Sequence, residues 1–114
     1  APQLRFRDFV VLHDLWKAYI GRLTGPCGGN AKALRQRLLG ADLQGAYVRV
    51  LRASAASMVG AAGIAFRETS GTIQVVTTED QVKTFPKRGC VFALAVGTVA
   101  ATLHGAAIAG RVRR

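Results

Sequence analysis

Apolar residues in the first part of the chain recur with the period of a helix. Leu12, Leu15, Trp16, Tyr19, Ile20 and Leu23 stand at i, i+3, i+4, i+7, i+8 and i+11, the recurrence that lines one helical face. The spacing predicts a first helix over residues 8–23, with Asp8 as its N-cap and Gly21 and Gly25-Pro26 marking its decay and end. Residues 25–30 read as a loop, in which Asn30 caps a second helix from Ala31 to Leu39 that stops at Gly40. Together they form a helical hairpin over residues 1–40.

From Gly45 onward the period changes to two. Ala46, Val48 and Val50 alternate with Tyr47, Arg49 and Leu51, and Ala62, Ile64 and Phe66 alternate with Gly63, Ala65 and Arg67, the pattern of half-buried strands. Ser70-Gly71 turns into a strand over Thr72 to Thr77, Thr78-Glu79-Asp80 into one over Gln81 to Phe85, and Pro86-Lys87-Arg88-Gly89 into an uncharged segment. Short antiparallel strands must bury an apolar face and protect their edges, and closing into a barrel does both in a chain this small. The fold class is therefore mainly β with N-terminal helices. Residues 41–114 are expected to form a small antiparallel barrel of about six strands, one folding unit with the hairpin.

The uncharged segment has a rival reading. Gly89 to Gly110 runs for 22 residues between Lys87-Arg88 and Arg111, long enough for a membrane span. Four glycines, two threonines and His104 interrupt it, however, and Cys90 to Val96 and Val99 to Leu103 are strand-sized pieces divided by Gly97-Thr98. Two strands joined by a tight glycine turn explain the same letters, and no membrane partner is expected.

Charge narrows the partners. The 114 residues carry 16 Lys and Arg against 6 Asp and Glu, a net +10, and such an imbalance calls for a polyanion: RNA, DNA or an anionic membrane. The excess is divided evenly, +5 in residues 1–40 and +5 in residues 41–114, so the polyanion is expected to touch several faces. Half the residues are apolar, which excludes a disordered basic arm. Cys27 and Cys90 are far apart with no C-x-x-C spacing, so both are expected to be reduced and buried, without a zinc site. The chain opens on Ala1 rather than methionine, as a processed or partial form would, and no signal peptide is expected in it, since Arg5, Arg7 and Asp8 interrupt any early apolar run.

No catalytic constellation is visible, and no metal or cofactor is implied. Glu68 has no second carboxylate at a fixed spacing and reads as a strand-end acceptor for a turn or an arginine. His13 and His104 stand in no Ser-His-Asp or Cys-His arrangement. Gly60-x-x-Gly63 suits the sharp bending or close backbone approach of a small barrel, with a grip on a nucleotide as the alternative. Arg5 and Arg7 form a basic entry, Lys87 and Arg88 a basic turn, and Arg111, Arg113 and Arg114 a basic tail. These seven are the leading RNA contacts, since folded RNA is recognised chiefly by shape, phosphate and 2′-hydroxyl contacts from dispersed cations. Leu12, Leu15, Trp16 and Tyr19 face either the core or a protein partner.

Several stretches at consistent spacing resemble one family. Leu12-His13-Asp14-Leu15-Trp16 with Tyr19, then Leu38-Leu39-Gly40-Ala41-Asp42-Leu43-Gln44-Gly45-Ala46, then Gly60-x-x-Gly63-Ile64-x-x-x-Glu68-Thr69 run in its order. Thr77-x-Glu79-Asp80, Phe85-Pro86-Lys87 and Cys90-Val91-Phe92 follow. Over residues 10–96 the chain resembles the Sm-like barrel subunit of eukaryotic and archaeal ribonuclease P and ribonuclease MRP. Gln44, where eukaryotic members tend to carry histidine, departs from the pattern. The resemblance implies a non-catalytic subunit that binds the catalytic RNA, assists 5′ maturation of precursor tRNA and pairs with the zinc-ribbon subunit of the same particle. It also implies residence in the nucleus and nucleolus, or in the cytoplasm of an archaeal cell. A ribosomal or Sm-type RNA-binding protein is the alternative.

Overall fold

The computed structural model describes residues 3–111. A 3-10 turn, Phe6–Phe9, leads into helix α1, Val10–Thr24, and a second 3-10 turn, Gly25–Cys27, leads toward α2, Ala31–Leu39. Asn30 caps α2 as expected: its side-chain oxygen accepts from the backbone N–H groups of Lys32 and Ala33, both at 3.1 Å. Asp8 does not cap α1. It lies within the preceding 3-10 turn, and α1 begins after Phe9 with no side-chain cap. Packing decides that boundary, because Phe6 meets Tyr47 edge-on at 6.4 Å and Phe9 meets Phe66 at 5.7 Å, which pins the chain to the sheet before the helix starts.

Six strands follow: β1 Tyr47–Arg52, β2 Ala62–Glu68, β3 Thr72–Val76, β4 Val82–Pro86, β5 Val91–Val96 and β6 Val99–His104. They form one antiparallel sheet in the order β4-β3-β2-β1-β5-β6, with irregular register between Val50 and Arg52 and between Ala65 and Arg67. The sheet curls strongly. β4 and β5 stand four places apart in this order, about 19 Å in a flat sheet at ~4.8 Å per strand. The rings of Phe85 on β4 and Phe92 on β5 nevertheless lie 6.3 Å apart. This is the expected barrel-like architecture, and its interior holds Val48, Val50, Ile73, Val75, Phe85 and Phe92 in one cluster with Trp16, Ile20 and Leu38 of the helices.

The paired glycines serve two different ends. Gly60, with φ +87°, turns the chain toward β2 while its N–H donates to Val50 O of β1 at 2.8 Å, and a Cβ on Gly63 would collide with the carbonyl oxygen of Val76, so Gly63 lets β2 lie close against β3.

The outermost strands are linked through loops. A 3-10 turn after β6, Gly105–Ile108, passes so close to the β4–β5 turn that a Cβ on Gly105 would collide with the Lys87 carbonyl oxygen. Just beyond it, the Gly110 N–H donates to Ser70 O at 2.7 Å. The uncharged segment is thus β5, a tight turn at Gly97-Thr98, β6 and this closing turn. Among the described residues no helix is long and apolar enough to cross a membrane. Both cysteines are free, but only Cys90 is buried; Cys27, in the loop between the helices, is half-buried, because a glycine-rich loop lacks neighbouring side chains to cover it.

Candidate nucleic-acid interface

Twelve of the fourteen basic residues described are exposed. Of these twelve only Lys17 is ion-paired, to Asp14 at 3.3 Å on the same helix, so eleven exposed cations have no ion-pair partner among the described residues. Arg5, Arg7 and Arg88 are among the eleven. Arg113 and Arg114 lie outside the described residues.

Lys87 departs from the expectation. Its side chain is wholly buried, with Nζ 2.8 Å from Glu68 Oε2 and donating to the carbonyls of Ile108 at 3.0 Å and Arg111 at 2.8 Å. Arg111 also turns inward: Nε donates to Glu68 Oε2 at 2.7 Å, one terminal nitrogen to Leu39 O at 2.5 Å, and the other to Ala41 O at 2.8 Å and Glu68 Oε1 at 3.3 Å. Within an otherwise exposed turn only the Lys87 side chain points inward; the segment after β6 folds over it, and a charge enclosed in this way must be paired. Lys87 and Arg111 therefore fasten the fold and do not present charge to a polyanion. Glu68 is the strand-end carboxylate that accepts from an arginine, with two cations sharing it.

The N-terminal residues form a strap anchored at a point the pattern analysis missed. Asp80, held at φ +61° in the β3–β4 turn, accepts from the Phe6 N–H at 2.8 Å through its carboxylate and from the Gln3 amide at 3.3 Å through its carbonyl. Arg5 and Arg7, which flank Phe6, are thereby held to the sheet while their side chains stay in solvent. The signal available in sequence was Thr77-x-Glu79-Asp80 itself, because aspartate tolerates the left-handed region and caps nearby N–H groups.

Beside that turn lies a cleft of about 510 Å³, lined by Tyr47, Arg49, Ala62, Thr78, Glu79 and Lys83 among others. No expectation included Arg49 or Lys83 as contacts, since the cleft is assembled from β1, β2, the β3–β4 turn and β4 and no local motif encodes it.

The four expected partner residues come together. Leu12, Leu15, Trp16 and Tyr19 line a depression of about 170 Å³ with Asp42 and Gln44. Within it the roles divide. Trp16 is buried and its indole N–H donates to Asp42 O at 2.7 Å, while Tyr19 Oη accepts from the Asp42 N–H at 3.1 Å, so these aromatics fasten the loop before β1. Leu15 is 63% exposed and Val11, one turn earlier, 67% exposed, which leaves an apolar ridge above the depression. His13 belongs to the fold as well. Its Nδ1 lies 2.8 Å from Gly45 O, a carbonyl that can only accept, so the proton sits on Nδ1.

The family model for ribonuclease P/MRP subunit p29 matches residues 36–114. Ribonuclease P protein subunit p29 of Rattus norvegicus is 35% identical over 108 residues, covering 90% of this chain and 48% of that protein. Ribonuclease MRP protein subunit POP4 of Arabidopsis thaliana is 36% identical over 101 residues, covering 89% of this chain and 33% of that protein. The chain spans half or less of the length of these curated relatives. Among solved structures, Mth11, described as a homologue of human RNase P protein Rpp29, superposes with a TM-score of 0.50 at 25% identity, covering 62% of this chain and 94% of Mth11. The helix and strand blocks noted in the sequence and the curled six-stranded sheet converge with these matches: the chain belongs to the p29 subunit family of ribonuclease P and ribonuclease MRP.

Proposed function

We propose that the chain acts as a non-catalytic RNA-binding subunit of the ribonuclease P ribonucleoprotein, and of ribonuclease MRP, supplying counter-charge and shape to the RNA while the RNA performs 5′ cleavage of precursor tRNA. The observation that carries this reading is the set of eleven exposed cations without ion-pair partners among the described residues, spread over the strap, both helices and the sheet. A folded polyanion that touches several faces is the ligand such a distribution suits. The ridge of Val11 and Leu15 over the Trp16–Tyr19 depression is the docking place for the zinc-ribbon subunit of the same particle. The reading puts the protein in the nucleus and nucleolus of a eukaryotic cell, or in the cytoplasm of an archaeal one.

Capture of the tagged chain from extract, followed by RNA sequencing, tests the proposal. Enrichment of ribonuclease P or MRP RNA is expected, whereas recovery of ribosomal RNA alone would favour the ribosomal reading. The purified chain is expected to leave precursor tRNA uncleaved.

A further inference from the structure

We infer that the cleft between β1 and the β3–β4 turn receives one unpaired nucleotide of the bound RNA. This rests on the reading of the chain as an RNA-binding subunit and adds where, and in what form, one piece of RNA is held.

Size and chemistry agree. About 510 Å³ falls in the range of small-ligand sites, roughly 300–1,000 Å³. Arg49 and Lys83 supply two cations, Tyr47 an aromatic ring, and Thr78 and Glu79 a hydroxyl and a carboxylate that can meet a base edge. Although Arg49, Lys83 and Glu79 line the same cleft, none of them is ion-paired to another, so their charges are available to a ligand. A free phosphate would be attracted by the two cations and repelled by Glu79. A nucleotide resolves that conflict, because it carries its anionic group and its hydrogen-bond donors at opposite ends. Unpaired bases are what protein surfaces read in RNA, by stacking on aromatic rings and bonding exposed edges.

The walls are fixed before any ligand arrives. Thr77 Oγ1 accepts from the N–H groups of Glu79 at 3.3 Å and Gln81 at 3.2 Å, and the Thr77 N–H donates to Gln81 O at 2.8 Å. Asp80 completes the turn by its bond to Phe6. A preformed site avoids the ordering cost of binding. The strap on the same turn also carries Arg5 and Arg7, which suits the phosphates on either side of the held nucleotide.

The test is an NMR titration of the full chain with an oligouridylate tetramer, alongside filter binding of intact ribonuclease P RNA. Amide shifts are expected to concentrate at residues 47–49, 60–62 and 77–83. Ala62→Trp, which fills the cleft without changing charge, is expected to weaken tetramer binding about tenfold, the scale of one base stack removed. Thr78→Trp, at an exposed turn position, is expected to do the same and guards against a folding defect at Ala62. If intact RNA binds while the tetramer leaves these residues unmoved, or both tryptophan variants bind the tetramer at full strength, the cleft is not a nucleotide site and the subunit reading stands. If neither RNA binds, both inferences fall.

Discussion

Replacing Glu68 by glutamine tests whether the C-terminal closure is electrostatic. Glu68 is 6% exposed and Lys87 0% exposed, and the carboxylate contacts both the Lys87 ammonium and the Arg111 guanidinium. Glu68→Gln preserves shape and one acceptor but removes the carboxylate that pairs with Lys87. The ammonium is then left with neutral acceptors alone, Ile108 O, Arg111 O and at most the new amide oxygen, in a site closed to water. Breaking a buried pair by removing one partner costs about 3–5 kcal/mol, chiefly through the uncompensated charge. Arg111 is 17% exposed and keeps its bonds to Leu39 O and Ala41 O, so the lower end applies, about 3 kcal/mol. With an unfolding entropy of roughly 0.24 kcal/mol/K for 114 residues, Tm is expected to drop by about 12 °C. Glu68→Gln combined with Lys87→Met removes the stranded charge, and part of the lost stability should return, because the neutral Gln–Met pair leaves no uncompensated ammonium in the site. Thermal and urea unfolding followed by circular dichroism measure both. A drop below about 1 kcal/mol for the single variant, or a double variant as damaged as the single, would refute the argument.

Three further outcomes follow from the same geometry. Arg5, Arg7 and Arg88 changed to alanine should flatten the dependence of log affinity for RNA on log salt concentration by about 0.7 for each phosphate left without its cation, whereas Lys87→Met, assayed where it is folded, should leave the slope unchanged. Leu15→Asp should weaken binding to the zinc-ribbon subunit at least about tenfold in calorimetry and leave Tm within a few degrees, since the side chain is already mostly in solvent. Burial raises the Cys90 thiol above its ordinary 9.0. The stability this gives is therefore complete below the pKa of the unfolded thiol and is lost as pH rises through the folded one. Maleimide should label Cys27 in the native protein and Cys90 only after unfolding, and a urea midpoint that does not fall at alkaline pH would contradict the assignment.

What the sequence disclosed is what local pattern controls. The helical face of α1, the Asn30 cap, the two period-two runs and the turn-bounded strands after them all appear in the structure, because each depends on residues within a few positions of one another. Glu68 was legible as a strand-end acceptor for the same reason that it was not legible as a catalyst: it had no companion carboxylate. The start of α1 differs from the pattern because Phe6 and Phe9 bind the sheet, a contact to residues 41 and 57 positions away that no capping rule contains.

Lys87 shows the limit most clearly. Lys87 and Arg88 are adjacent, share a turn and carry the same charge, so local sequence gives them the same role; the structure buries one and exposes the other. The difference is made by Glu68 and by the chain beyond β6, which reach the turn only after the sheet has curled. The nucleotide cleft has the same origin in reverse. Arg49, Glu79 and Lys83 look like solvated charges on three separate elements, and pairing β1 with β2 and β3 with β4 gathers them on one surface. In a strongly basic chain the count of cations predicts a polyanionic partner, but the division between cations that hold the fold and cations that meet the partner is decided by contacts distant in sequence. The Glu68 and Lys87 variants therefore probe stability alone, while Arg88 and the strap probe RNA, and the two sets should separate cleanly in a salt titration.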